Sequence, residues 1–306
     1  MKLIMVMCVR DEHDVIADNL RHHFNHGVAQ AIVVDNGSVD GTRDILADLA
    51  RTAPIEIVDE PTYDFSQGRL MTQMALRARD EMGADWILPN DADEFWVPHS
   101  GDLPKSIQSD TRKGAGILYT KRYNMFAGWD APEDAPWCDR MIYRVAAPKP
   151  IPTFEDLFKD EREYPHFYCD LFGKVTMQAA GLREIKQGFH QAFFEDDVIQ
   201  SDSQMTIYHV PVRTRAQFES KACNGGTSLQ RNTHLPKSTS WHIRRWYWRY
   251  DNLGFEAAIE DAIPSSARVK QDLKAGLVVE DTSLRDLLMP PEPHGRFSWK
   301  RLIGRA

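Results

Sequence analysis

The sequence predicts an α/β protein built on a mostly parallel β-sheet with helices on both faces. Three observations carry this. Short aliphatic runs alternate three times with stretches of helical periodicity, and a fourth aliphatic run closes the series. That order implies a parallel sheet with right-handed crossovers. The polar clusters in this part of the chain each follow a strand, at the edge where such sheets bind ligands.

Residues 3–9 read as a buried first strand, a continuous apolar run. Residues 12–26 read as a helix, with Val15, Ile16, Leu20, His23 and Phe24 on one face and Gly27 as its stop. Residues 31–34 form a second strand that ends in Asp35-Asn36-Gly37-Ser38. Asp40-Gly41-Thr42 opens a second helix, whose inner face is Ile45, Leu46, Leu49 and Ala50. Residues 55–58 are the third strand. Residues 66–82 are the third helix, with Leu70, Met71, Met74, Ala75, Ala78 and Met82 inward. Residues 86–89 are the fourth strand, which runs straight into Asn90-Asp91-Ala92-Asp93-Glu94.

Size and composition bound the rest. The chain has 306 residues, 42% hydrophobic and 27% charged, as an ordinary globular protein does. Its net charge of −8 argues against a general nucleic-acid binder. The four cysteines include no Cys-x-x-Cys pair, so neither a zinc site nor a disulfide framework is indicated. The apolar start is short and lacks a small-residue cleavage site, which fits a first strand better than a signal peptide. No apolar run reaches the roughly 18–20 residues of a membrane span. A cytoplasmic protein is expected.

Three carboxylates within four residues repel one another unless a positive group neutralises them. A hard divalent cation, Mg²⁺ or Mn²⁺, takes oxygen ligands and answers that need. In an extended or turning segment, Asp91 and Asp93 point to the same side. The first loop, Arg10-Asp11-Glu12-His13-Asp14, has no glycine, so a Gly-x-Gly-x-x-Gly dinucleotide loop is excluded. No Walker A sequence is present either. A bound diphosphate would therefore need a metal at Asp91 and Asp93.

The series Val9-Arg10-Asp11-Glu12, Val34-Asp35-Asn36-Gly37-Ser38-Val39-Asp40-Gly41-Thr42 and Asp91-Ala92-Asp93-Glu94-Phe95 resembles family 2-like glycosyltransferases of the GT-A fold. It is most similar to a bacterial branch with an Asp-Ala-Asp-Glu-Phe form of the Asp-x-Asp motif. It departs at Asp11, where related sequences more often carry Asn. The resemblance implies a metal-dependent enzyme that moves a sugar, with inversion, from a nucleotide-diphosphate sugar to a glycan, lipid-linked or other hydroxyl acceptor. It also implies a place in cell-envelope or exopolysaccharide synthesis. Residues 1–212 would form the GT-A domain, with 1–98 the nucleotide half and 99–212 the acceptor half. Residues 213–306 would form a mostly helical extension. Asp35 would bind the nucleobase, and Arg10, Glu12, Gln67 and Arg69 would lie at the nucleotide or its phosphates. Asp91 would face the ribose and metal, Asp93 would ligate the metal, and Glu94 would support both.

The second half supplies the remaining candidates. Residues 116–119 and 141–145 read as strands, with an aromatic and acidic stretch between them that suits sugar stacking or a capping loop. The resemblance implies a Lys and then a Gly-x-His element, here Lys174 for a phosphate and His190 as third metal ligand. His209 is the rival. Arg213 and Lys221 are candidate counter-charges for the diphosphate. An inverting displacement needs a base, and Asp156 and Asp170 are the two candidates. The Trp- and Arg-rich segment 241–250 and the basic residues 299–305 suit either a peripheral membrane contact or packing onto the sheet domain.

Three other readings compete. A glycoside hydrolase needs two carboxylates across one bond and no nucleotide site. A sugar nucleotidyltransferase would carry a glycine-rich, basic first loop. A non-catalytic sugar-nucleotide-binding module has no need of the intact Asp91–Asp93 pair.

Overall fold

The computed structural model describes residues 1–61, 67–111, 114–151, 162–231, 236 and 239–289. The first half follows the predicted order: β1 (Leu3–Val9), α1 (Ile16–Asn25), β2 (Gln30–Asp35), α2 (Thr42–Ala50), β3 (Ile55–Asp59), α3 (Gln67–Asp80) and β4 (Trp86–Asn90). β5 (Glu94–Val97), α4 (Leu103–Asp110), β6 (Ile117–Asn124), α5 (Trp137–Arg140) and β7 (Tyr143–Val145) come next. Then follow β8 (Lys174–Gln178), β9 (Leu182–Ile185), β10 (Ala192–Phe194) and β11 (Gln200–His209). The last elements are α6 (Arg215–Arg231), α7 (Trp241–Leu253), α8 (Phe255–Ala262), α9 (Ser266–Lys274), β12 (Val278–Glu280) and α10 (Ser283–Leu288).

One eight-stranded sheet organises these elements, in the order β3-β2-β1-β4-β8-β6-β11-β5. β3, β2, β1 and β4 run parallel, as do β6 and β11. β8 is antiparallel to both its neighbours, and β5 to β11. β1 explains why the strands read as unbroken apolar runs. Leu3, Met5 and Met7 pack on one face with Leu20, Phe95 and Trp96. Ile4 and Val6 pack on the other with Met71, Ala75 and Phe189. Alternate side chains of a strand serve opposite faces, and here both faces are covered.

α1 starts at Ile16, later than its apolar spacing suggests. Asp11 has φ 53°, a left-handed backbone that Asp tolerates better than most residues. The turn after it is tied to the next loop, since Glu12 N donates to Thr42 Oγ1 (2.8 Å) and His13 N to Asp40 Oδ2 (3.1 Å). The Asp40–Thr42 cluster thus fastens two strand-end loops together as well as opening α2.

A third apolar cluster joins Phe126, Tyr168, Phe218, Trp246 and Ile259. β12 pairs antiparallel with β7, tying the late helices back to the middle of the chain. α6 and α7 press together at Gly225 and Gly226. A Cβ on Gly226 would meet Tyr247 Cβ at 2.3 Å, and one on Gly225 would meet Ile243 Cγ2 at 2.9 Å. Among the described residues no helix is long and apolar enough to cross a membrane.

Candidate active site

The acidic turn between β4 and β5 is held from beneath by a buried amide network. Asn19 Nδ2 on α1 donates to the carbonyls of Ala92 (2.9 Å) and Glu94 (2.7 Å). Asn90 Nδ2 donates to Asn19 Oδ1 (3.1 Å), and Trp96 Nε1 donates to Asn90 Oδ1 (3.0 Å). The His22 and His23 rings bond the backbone beside it, at Trp96 O (2.8 Å) and Asn19 O (2.8 Å). Val210 N donates to Asp93 O (2.8 Å), which fastens the turn to the end of β11. The carboxylates project from a rigid base.

Each carboxylate then meets a cation. Lys174 at the start of β8 donates to Asp91 Oδ2 (2.6 Å) and lies 3.2 Å from Glu94 Oε1, which also accepts from Arg122 (2.7 Å). Lys221 on α6 donates to Asp93 Oδ2 (2.9 Å), and His209 Nε2 lies 3.5 Å from the same oxygen. Burial opposes the charge on Asp93, but Lys221 and then His209 hold it well below the usual carboxylate range. Lys174 and Arg122 hold Glu94 down in the same way. For Asp91, burial prevails over Lys174 and the carboxyl shifts upward. Burial keeps His209 below the usual imidazole range despite Asp93.

All of these but the buried Glu94 line a cavity of about 700 Å³, which also takes in Arg10, Glu12 and Asn36 from the strand-end loops and His190. Arg10 Nη1 donates to Asn36 O (2.7 Å). Asp35 does not itself line the cavity; it is 4% exposed and accepts from Ser38 N (3.2 Å) through Oδ2, while its buried Oδ1 has no hydrogen-bond partner among the described residues. Burial, then Asp91 and Asp35, push the Cys8 thiol on the cavity wall up to about 12, so it stays protonated.

Not every candidate lines the cavity; His190 and, from segment 241–250, Trp241, His242, Ile243 and Trp246 do. Arg69 is exposed on α3, with Nη1 3.5 Å from Gln73 Oε1, and does not line the cavity. Asp170 is exposed, although its neighbours Leu171 and Phe172 line the cavity. The Gln67 side chain, Asp156 and residues 299–305 lie outside the described residues. His190 Nδ1 bonds Gly173 O (2.6 Å). Arg213, read as a diphosphate counter-charge, is buried and bound to Glu12 and to both oxygens of Asp14 (2.8 Å each). Its charge is neutralised within the protein. In segment 241–250, Arg245 is buried in an ion pair with Asp261, Trp246 is buried, and Trp248 is exposed.

Arg122 and Asn124 were not singled out from the sequence. They close a polar stretch, Thr120–Asn124, that looks like surface but belongs to an interior strand. Asn124 Oδ1 bonds His209 Nδ1 (2.7 Å).

A metal can be tested against this donor set. Among the described residues no three His, Cys, Asp or Glu side chains gather to cage an ion. Hard cations with phosphate ligands are often held by only one or two carboxylates, the rest coming from phosphate oxygens and water. Asp93 and His209 fit that mode. Asn124 occupies Nδ1 and leaves Nε2 facing an ionised carboxylate, two electron-rich groups that a cation satisfies together.

The sequence profile described as "Glycosyl transferase family 2" matches residues 5–172. The chain belongs to glycosyl transferase family 2. This glycosyltransferase is an enzyme of the GT-A fold type, consistent with its sheet and its strand-end cavity. No curated protein sequence matches it. Among solved structures, residues 1–349 of S. aureus TarS are similar at 13% identity and a TM-score of 0.40, over 83% of this chain and 74% of that one. The TarS 1–349 complex with UDP-GlcNAc is similar at 12% identity and a TM-score of 0.38, over 90% and 78%. Glucosyl-3-phosphoglycerate synthase from Mycobacterium tuberculosis, in complex with Mn²⁺, UDP and glucosyl-3-phosphoglycerate, is similar at 18% identity and a TM-score of 0.27, over 40% and 44%.

Proposed function

We propose that this glycosyltransferase moves a sugar from a nucleotide-diphosphate sugar to an acceptor hydroxyl, with inversion. The observation that carries the reading is the cavity at the strand ends, where Asp91 and Asp93 stand among Arg10, Lys174 and Lys221. A diphosphate brings negative charge, and two ammonium groups beside two carboxylates are suited to exchange partners with it. Asp35 is proposed at the nucleobase from its place at the end of β2, next to the cavity-lining Asn36. Gln67 and Arg69 remain proposed contacts at the nucleotide rim.

The proposed metal is Mn²⁺ or Mg²⁺, held by Asp93 with Asp91 alongside. His209 is the better third ligand than His190, because His209 stands next to Asp93. Held there, such a cation would supply Lewis-acid stabilisation of the departing diphosphate. The chain's own residues do the rest. Asn19 and Asn90 fix the acidic turn. Lys174 and Lys221 neutralise phosphate charge. A carboxylate, with Asp170 retained as the described candidate, takes the acceptor proton as the new glycosidic bond forms and the bond to the diphosphate breaks. We propose residues 1–98 as the nucleotide half and 99–212 as the acceptor half. Lys221 and α7, from beyond residue 212, complete the cavity wall.

The reading is tested by incubating the protein with Mn²⁺ and UDP-, GDP-, CDP- or dTDP-sugars and measuring nucleoside diphosphate release, with and without mixed glycan acceptors. Release from one donor class, stimulated by acceptor and abolished in Asp93→Ala, is expected. Release that survives Asp93→Ala contradicts the assignment.

A further inference from the structure

Two lysines meet the acidic turn, and they are held differently. Lys174 starts β8, a strand inside the sheet. Its side chain is 2% exposed and serves two carboxylates, Asp91 at 2.6 Å and Glu94 at 3.2 Å. Lys221 projects from α6, outside the sheet, onto the cavity wall. Its side chain is 29% exposed and reaches one carboxylate, Asp93 Oδ2 at 2.9 Å, and the carbonyl of Pro211 at 3.2 Å. A lysine ammonium is a point charge on a flexible four-carbon stem. Lys174 is fixed by burial and by two anions. Lys221 turns into the cavity by giving up one ion pair and one carbonyl contact.

The oxygen that Lys221 bonds is also the one that His209 Nε2 faces at 3.5 Å. Asp93 and His209 are the pair read above as suited to a cation. The ammonium and a divalent cation therefore contend for one carboxylate. Two positive groups on one side chain repel at close range, and a partly buried site screens that repulsion less than water does. The turn has little freedom to make room. Val210 N holds the Asp93 carbonyl, and the Asn19 amide holds those of Ala92 and Glu94.

We propose that Lys221 is an exchangeable counter-ion of Asp93, which holds a divalent cation off until a diphosphate draws the ammonium away, so that metal and nucleotide bind as a coupled pair. This rests on the glycosyltransferase reading and adds to it the residue that couples the two ligands. The diphosphate acts on both sides of the exchange. Its oxygens accept from Lys221, and they complete the coordination of a cation that one or two carboxylates hold only in part. Coupling between two ligands is reciprocal. Loss of either one returns Lys221 to Asp93 and favours loss of the other.

The test uses the full chain and the electron paramagnetic resonance signal of free Mn²⁺, which reports metal binding without turnover. Mn²⁺ is titrated into the protein alone and with UDP, GDP, CDP or dTDP. The unaltered protein is compared with Lys221→Met, Lys221→Gln and Lys221→Arg, and folding is checked by circular dichroism. Without nucleotide, Lys221→Met should bind Mn²⁺ about tenfold more tightly than the unaltered protein, within the usual range of coupling between sites. Nucleotide should then tighten Mn²⁺ binding less in Lys221→Met than in the unaltered protein. Lys221→Arg keeps a cation beside Asp93 and should restore the original behaviour. If Lys221→Met fails to fold, Lys221→Gln carries the comparison. Unchanged or weaker Mn²⁺ binding in the folded variant, an undiminished nucleotide effect, or a Lys221→Arg protein that behaves as Lys221→Met overturns the proposal. In those cases Mn²⁺ binding by the unaltered protein with nucleotide leaves the donor reading standing. No Mn²⁺ binding by the unaltered protein with any nucleotide overturns both.

Discussion

The ammonium of Lys174 lies 2.6 Å from Oδ2 of Asp91, and Lys174 is almost fully buried. The same group serves Glu94 at 3.2 Å. Lys174→Met would leave Glu94 with Arg122 and remove a cation from Asp91. Breaking a buried pair by deleting one partner typically costs about 3–5 kcal/mol. Urea unfolding should show a loss of that order, together with loss of donor turnover. A change under about 1 kcal/mol would mean that the pair is effectively solvated.

The Asn19 side chain holds the acidic turn by its backbone carbonyls. Asn19→Ala removes the donor to two carbonyls and the acceptor for Asn90. A loss of about 2–3 kcal/mol is expected from the buried groups left unpaired. Nucleotide affinity should also weaken, measured by calorimetry with Mn²⁺ present. Unchanged affinity in a folded variant would show that the turn holds its shape without Asn19.

How far the sequence reveals these relations depends on their range. β1 to β4 were legible because each strand is apolar on both faces and each is followed by a helix. The same logic marked the acidic turn as a strand-end feature. β5 and β11 were not read as strands. β11 alternates exposed and half-buried polar residues over Gln200–Gln204, and β5 follows the carboxylates without a break. Their pairing opposes Glu94 and His209, and no local pattern distinguishes His209 from His190. Asn19 sits on α1 among apolar neighbours and becomes significant only when α1 packs under β5. Arg122 and Asn124 reach the cavity through β6, whose polar end reads as surface.

The buried imidazoles of α1 give the fold a pH signature. Burial lowers His22 to about 4, while Trp96 O partly opposes the shift. Its unfolded value is about 6.5. The unfolded chain therefore binds the proton first as pH falls. His22's contribution to stability is complete above about pH 6.5, declines between 6.5 and 4, and levels off below 4. At pH 5 the loss is on the order of 2 kcal/mol. Calorimetry from pH 7.5 to 5 should show a shallower fall in Tm for His22→Gln. Parallel curves would contradict a neutral buried His22.

The seam between α6 and α7 leaves no room at Gly226. Gly226→Ala would drive a methyl group into Tyr247 at 2.3 Å. Overpacking of this kind costs about 1–3 kcal/mol. Thermal unfolding should report that loss. A variant as stable as the parent would show that α7 is not pressed against α6.

The central claim is that Asp91 and Asp93 serve a metal-assisted nucleotide-diphosphate site. Thermal shift with UDP, GDP, CDP and dTDP, with and without Mn²⁺ and after chelation with EDTA, tests it most directly. A ligand that binds only the folded state at a hundred times its Kd stabilises by about 2.7 kcal/mol. The account predicts stabilisation by one nucleotide that requires Mn²⁺, is reversed by EDTA and is lost in Asp93→Ala. No stabilisation by any nucleotide with Mn²⁺ present, or the same stabilisation in Asp93→Ala, would contradict it.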